Sequence, residues 1–138
     1  MKILLLSHGS FAKGLYESCT MIMGKQSFLD YICLDDEGLE AFTEKIQDFL
    51  KKNTEETIYF LFDLKHGTPY NQVMIELLNH QNLRYELITG VNLPMVLSLS
   101  MNVSSENDKD DYVEKAMKVA IDAIDAESSN KGGYANER

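Results

Sequence analysis

Apolar and polar positions alternate in blocks along this chain. Lys2 to Leu6 is a short, nearly continuous apolar run, the pattern of a strand buried on both faces. From Phe11 to Met23 apolar residues return at helical spacing, at Phe11, Leu15, Cys19 and Ile22, and Gly24 is a fitting stop. Phe28 to Leu34 is a second apolar run, closed by the turn Asp35-Asp36-Glu37-Gly38. Leu39 to Lys52 is the clearest helix, with Leu39, Phe42, Ile46, Phe49 and Leu50 on one face and charge opposite. Thr57 to Phe62 predicts a third strand. Thr68-Pro69 reads as N-cap and first helical residue of a helix carried on by Tyr70, Val73, Met74, Leu77 and Leu78. Tyr85 to Thr89 predicts a fourth strand. Gly90-Val91-Asn92-Leu93-Pro94 opens a short helix running to about Met101.

Asn102 to Asp110 is polar and expected to be flexible. Asp111 to Ala126 predicts a last amphipathic helix, with Val113, Ala116, Met117, Ala120, Ile121 and Ile124 on one side. The end of the chain, residues 127–138, is rich in Gly, Ser and Asn and expected to be disordered. Residues 1–126 then form one domain. Strands alternating with helices imply βαβ units, hence an α/β fold with a doubly wound, mostly parallel sheet covered by helices on both faces. In such open sheets the ligand site lies beyond the carboxyl ends of the strands, near a switch in strand order.

The length of 138 residues fits one domain, large enough to bury about two-thirds of its unfolded surface without a disulfide or metal staple. Thirteen bases stand against 22 acids, a net charge of −9, which argues against nucleic acid and anionic lipid as partners. The final helical segment is the most acidic: Ser104 to Glu127 holds eight acids and three lysines. No apolar run approaches the ~20 residues of a membrane span, and Ser7-His8-Gly9 cuts the opening run too short for a secretory signal. A cytoplasmic location is expected. Cys19 and Cys33 read as reduced core cysteines, and the seven methionines as core filling.

Three strand ends carry chemistry: Ser7-His8-Gly9-Ser10, Asp63-Leu64-Lys65-His66-Gly67-Thr68-Pro69, and Gly90-Val91-Asn92-Leu93-Pro94. Each is ordinary alone, since a His after a strand is commonly a loop residue and an Asp there a helix cap. Together they fit phosphoryl transfer through a histidine. Imidazole near neutral pH keeps a lone pair on one nitrogen and is a competent nucleophile. A carboxylate accepting the other N–H fixes the tautomer, the role Asp63 can play for His8; if it holds the Nδ1–H, then Nε2 attacks. Backbone N–H groups at helix N-termini, with the hydroxyls of Ser10 and Thr68, can receive a phosphoryl group. No metal or other cofactor is required. His66 reads as a solvated loop residue or a second site histidine, and His80 as a partner for a helix C-terminus.

At these residues the sequence resembles the enzyme IIA domain of the mannose (mannose–fructose–sorbose) family of the bacterial sugar phosphotransferase system. The matching pieces are the opening strand with Ser7-His8-Gly9, the Phe62-Asp63 strand end, Gly67-Thr68-Pro69-Tyr70-Asn71, and Gly90-Val91-Asn92-Leu93-Pro94-Met95. They cover residues 1 to 101 in one order and spacing. The resemblance implies a doubly wound homodimer with His8 as the phosphorylated histidine and Asp63 as its orienting carboxylate. Gly9, Ser10, Gly67 and Thr68 would bind the phosphoryl group. It also implies two partners, the histidine-containing phosphocarrier protein as donor and an enzyme IIB subunit as acceptor. Contact with the membrane is then only indirect, through the sugar permease.

One departure stands out. The family usually carries Gly-Gly before its Ser/Thr-Pro, where this chain has Lys65-His66-Gly67. Lys65 and His66 are therefore candidate modulators of rate or of partner choice. Three other readings compete. The phosphotransfer subunit of dihydroxyacetone kinase systems shares the fold and the N-terminal histidine, but Gly90-Val91-Asn92-Leu93-Pro94 favours the sugar branch. Small tetrapyrrole chelatases also place His-Gly-Ser after a strand, but leave the Thr68-Pro69 and Asn92-Leu93-Pro94 segments unexplained. A non-catalytic module leaves the His8–Asp63 conjunction to chance, and a response-regulator receiver needs an acidic pair after the first strand.

Overall fold

The computed structural model describes residues 1–102 and 111–129. The elements run β1 (Lys2–His8), α1 (Phe11–Met23), β2 (Leu29–Leu34), α2 (Gly38–Lys52), β3 (Ile58–Phe62), α3 (Thr68–Leu77), β4 (Tyr85–Thr89), α4 (Leu93–Met101) and α5 (Tyr112–Asp122). The chain divides into two compact units, Met1–Leu93 and Pro94–Arg138.

In the first unit the four strands form one sheet in the order β2-β1-β3-β4, every pair parallel. This is the doubly wound α/β architecture that the alternating pattern predicts. From β1 the chain crosses by α1 to β2 on one side. From β3 it crosses by α3 to β4 on the other. The order therefore reverses between β1 and β3, which are neighbours. All five residues of β3 and the Ile3–Leu6 stretch of β1 are buried, as central parallel strands require. One face of the sheet carries Leu4, Leu6, Ile32, Ile58, Phe60 and Phe62 against Phe42, Ile46 and Leu50 of α2 and Val73 and Leu77 of α3. Alternate residues of β1 face α1 instead, which buries Ala12, Leu15 and Cys19. A buried carboxylate ties α2 to α3. Glu76 accepts from the side-chain amides of Gln47 (3.2 and 3.3 Å) and Gln72 (3.3 Å), which offsets its desolvation.

In the second unit, α4 buries Met95, Val96, Leu99 and Ser100, and α5 buries Tyr112, Ala116 and Ala120. The flexible character expected of Asn102 to Asp110 and the disorder expected of the tail concern stretches of which 103–110 and 130–138 lie outside the described residues.

Several expectations change. β1 runs two residues beyond Leu6, because Ser7 and His8 still pair with Cys33 and Leu34 although they are polar. The inward stripe of α1 is Ala12, Leu15, Cys19; Phe11 and Ile22 are exposed. Thr68 is the first residue of α3 rather than its cap. Gly67, extended at φ −78°, ψ 173°, takes the cap position, and Pro69 sits in the first turn where its missing N–H costs nothing. Leu39, Met74 and Leu78 are exposed as well. Methionine does not fill the core: Met21, Met74, Met101 and Met117 are exposed and Met95 is the buried one. α5 stops at Asp122 instead of Ala126; Met117 and Ile121 within it and Ile124 beyond it are exposed. Asp122, Asp125 and Glu127 crowd the negative end of that helix, and no basic residue in its last turn offsets them.

Cys19 is fully buried and Cys33 half-buried; both are free thiols. Burial pushes the Cys19 thiol up to about 11 from an ordinary 9.0. The folded state thus holds that proton more tightly than the unfolded chain, and the linkage lowers stability as pH rises above about 9. Because the thiolate is the reactive form, alkylation of the folded protein at pH 8 should modify Cys33 at least about tenfold faster than Cys19. Peptide mapping after timed labelling checks this, and equal rates for the two thiols would contradict the buried position of Cys19.

Candidate functional site at the carboxyl edge of the sheet

The switch between β1 and β3 brings their carboxyl ends side by side, and the two residues there are His8 and Asp63. His8 is the last residue of β1, paired with Leu34 of β2. Asp63 directly follows β3, and its backbone N–H donates to the Leu6 carbonyl at 3.2 Å. The carboxylate turns back onto His8. Its Oδ2 accepts the His8 backbone N–H at 2.9 Å and lies 2.8 Å from Nδ1 of the ring. Its Oδ1 accepts the Leu64 N–H at 2.8 Å. An ionised carboxylate can only accept, so Nδ1 carries a proton, and in the neutral ring the lone pair is then on Nε2. The His8 side chain is 44% exposed and Asp63 16%. The carboxylate is the more buried member of the pair and the imidazole the more exposed.

Gly67 closes over the ring. A Cβ built on Gly67 would stand 2.7 Å from His8 Cε1 and 3.2 Å from Nε2, closer than packed carbons tolerate. The absence of a side chain at 67 is what lets the β3–α3 loop reach the nucleophilic edge. The loop itself is tightly held. The Asn71 backbone N–H donates to the Gly67 carbonyl at 2.9 Å, and its side-chain amide to the His66 carbonyl at 3.2 Å. His66 adopts a left-handed backbone, φ 61°, which costs a non-glycine residue about 1–3 kcal/mol. Its ring meets Tyr70 edge to face at 5.4 Å, and Tyr70 meets Phe62 at 5.1 Å.

On the other side, Gly9 has φ 60°, the left-handed turn that carries the chain from β1 into α1. Its N–H donates to the Leu34 carbonyl at 2.7 Å. Ser10 occupies the cap position of α1 without a side-chain capping bond. The capping oxygen comes from Ser7, whose Oγ accepts the Ala12 N–H at 2.7 Å.

Of the residues singled out from sequence, His8, Asp63 and Gly67 are thus in direct contact or close approach. Gly9 and Ser10 form the adjoining turn. Lys65, His66 and Thr68 are exposed positions on the β3–α3 segment, with the His66 ring leaning on Tyr70. Sequence reasoning missed Ser7 and Asn71 as supports. A hydroxyl inside an otherwise leucine-rich strand was the available signal for Ser7; Asn71 gave none. A hollow of about 440 Å³ lined by Lys2, Asp30, Phe49, Lys52 and neighbours lies between β2 and α2 and includes neither His8 nor Asp63. Among the described residues no group of three or more His, Cys, Asp or Glu is placed to hold a metal ion.

Gly67→Ala tests the closeness of the loop. The added methyl should displace the imidazole and disturb its bond to Asp63, at a cost of about 1–3 kcal/mol. Chemical denaturation gives the stability, and the ¹⁵N shifts of His8 report whether Nδ1 stays the protonated nitrogen. An unchanged tautomer at unchanged stability would contradict the packing.

Comparison with known proteins bears on the family. The EIIA-man family model, described as the PTS system fructose IIA component, matches residues 2–117. The fructose-specific EIIA component of Bacillus subtilis is 34% identical over 101 residues, 72% of this chain and 68% of that protein. The sorbose-specific EIIA component of Lacticaseibacillus casei is 30% identical over 106 residues, 76% of this chain and 75% of that protein. The mannose-specific EIIAB component of Escherichia coli K12 is 28% identical over 126 residues; the match takes in 90% of this chain but 38% of that longer protein. Among solved structures, the mannose/sorbose-specific IIA subunit of Enterococcus faecalis superposes with a TM-score of 0.75 at 26% identity, covering 95% of this chain and 97% of that one. The EIIA component of Streptococcus agalactiae gives 0.76 at 22% identity, covering 89% and 94%, which speaks to the fold alone. With a family model spanning most of the sequence and the expected fold beneath it, the chain belongs to the EIIA-man family of phosphotransferase-system IIA components.

Proposed function

We propose that this chain is a histidine phosphocarrier of sugar uptake, accepting a phosphoryl group on Nε2 of His8 and passing it to an enzyme IIB subunit. The observation that carries the reading is the single carboxylate oxygen that accepts the His8 backbone N–H and lies against Nδ1, which assigns the lone pair of the neutral ring to Nε2. In the forward step the N–P bond of the donor, the histidine-containing phosphocarrier protein, breaks as a bond forms to Nε2. The Nδ1 proton stays on the ring, and the positive charge that develops there is balanced by Asp63. The phosphoryl oxygens need donors. Supporting candidates are the N-terminal turns of α1 and α3, which meet the sheet at Gly9-Ser10 and Gly67-Thr68. The reverse chemistry hands the group to the IIB subunit.

A histidine side chain 44% exposed suits reaction with another protein. Both encounters must be brief, so each interface should be small. A homodimer and a cytoplasmic location accompany this reading, as does the assignment of residues 1–126 to one phosphocarrier domain. Among the described residues no helix is long and apolar enough to cross a membrane. The relatives carry fructose, mannose and sorbose in their names, so the sugar is left to the membrane components.

The test is phosphorylation by phosphoenolpyruvate, enzyme I and the phosphocarrier protein, read as intact mass. Wild type should gain one acid-labile phosphoryl group and His8→Ala none; a gain in both moves the site to another histidine, and a gain in neither ends the proposal. Asp63→Asn should keep the fold and lose about two or more orders of magnitude in transfer rate, since an amide can present N–H where Nδ1 needs an acceptor. His66→Gly should still be phosphorylated but change the rate with at least one partner. Identical kinetics with both would remove His66 as a modulator.

A further inference from the structure

We infer that Ser7 is a positioning residue for His8, acting through a hydroxyl clamp that spans it in the chain. The inference rests on His8 being the phosphoryl acceptor. Ser7 is fully buried, the one polar side chain among the buried inner residues of β1, and its face of the strand turns toward α1. A hydroxyl there is costly unless bonded, and it is bonded twice. Oγ donates to the Gly9 carbonyl at 3.1 Å and accepts the Ala12 N–H at 2.7 Å. The two bonds reach over His8 and hold both ends of the Gly9–Ala12 turn.

Their effect on His8 follows from what else touches it. The peptide before His8 is held by its N–H on Asp63 Oδ2. The peptide after it is held by the Gly9 N–H on the Leu34 carbonyl. The Gly9 carbonyl, which sets the rotation of the next peptide in a residue at φ 60°, is held by Ser7. The first two hold the backbone of His8 itself, and the third holds the turn that follows it, so Ser7 anchors the strand end from which Nδ1 meets Asp63 and the Nε2 edge lies under Gly67. Ser7 touches no reacting atom. It sets the ring that does.

An ordinary helix cap would affect stability alone. A positioning role also changes which ring nitrogen reacts. Ser7→Ala should therefore mix the Nδ1–H and Nε2–H tautomers of His8 in ¹⁵N spectra of the unphosphorylated, fully folded protein. With potassium phosphoramidate as donor, which releases ammonia as the new N–P bond forms, phosphorylation of His8 should slow about tenfold. Part of the product should carry phosphorus on Nδ1 rather than Nε2. Ser7→Thr, which keeps the hydroxyl, should restore rate and position. If Ser7→Ala does not fold, Ser7→Cys, with its weaker acceptor, is read in its place. A variant with the wild-type tautomer, a rate within twofold and Nε2 product alone overturns the inference. Should wild type itself resist phosphorylation at His8, the phosphocarrier reading falls, while the tautomer measurement still decides whether Ser7 orients the ring.

Discussion

One carboxylate oxygen holds the centre of this protein together. Asp63 Oδ2 accepts the backbone N–H and the ring N–H of the same histidine, 55 residues away in sequence. The first bond joins the ends of β1 and β3, and the second fixes the chemistry of the ring. Both require the two strands to be nearest neighbours with parallel carboxyl ends. That arrangement exists because the chain winds one way from β1 and the other way from β3. A histidine on the same loop without that oxygen would be a solvated imidazole with two exchanging tautomers.

Around this bond the surrounding structure removes freedom rather than adding donors. Gly67 has no side chain to hold the loop away from the ring. Gly9 takes a turn few other residues enter at low cost, and the buried Ser7 hydroxyl holds it there. His66 shows the opposite choice: a side chain carried on a left-handed backbone, with Tyr70 and Asn71 holding it in place. A strained residue beside a reactive nitrogen persists only where its surroundings over-determine it, and functional loops are where such residues gather. The rigid part of the scaffold lies directly below. Ile3 to Ser7 of β1 and all of β3 are buried, with α1 against one face of β1 and α2 and α3 against the other face of the sheet, so close packing leaves little room to absorb a displacement at the rim.

Polar residues at element ends are where sequence reading and structure part. The apolar run ending at Leu6 hid the last two residues of β1, because strand pairing is made by backbone groups that Ser7 and His8 possess as fully as leucine does. The hydroxyl of Thr68 reads as a helix cap, yet Thr68 is the first residue of α3, and Ser10, at the cap position of α1, makes no side-chain capping bond. The oxygen over α1 comes from three residues upstream of Ser10. At α3 Gly67 occupies the cap, since only a residue without Cβ fits beside His8. The last helix was read too long because apolar spacing continues through Ile124, while the clustered acids at its negative end do not favour another turn.

By itself the sequence determined the order and type of the elements, the parallel sheet they imply, and the family, because hydrophobic period and short motifs are local properties. It also placed a histidine at the end of the first strand and an aspartate at the end of the third; that these strands are neighbours is a matter of strand order, which element order alone does not fix. Only the tertiary structure decided which nitrogen Asp63 holds, that Gly67 lies against the free one, and that Ser7 clamps the turn between them. Those facts depend on contacts between 2.7 and 3.2 Å, several of them between groups far apart in the chain. No pattern of residue types encodes such distances until the core has packed and set them.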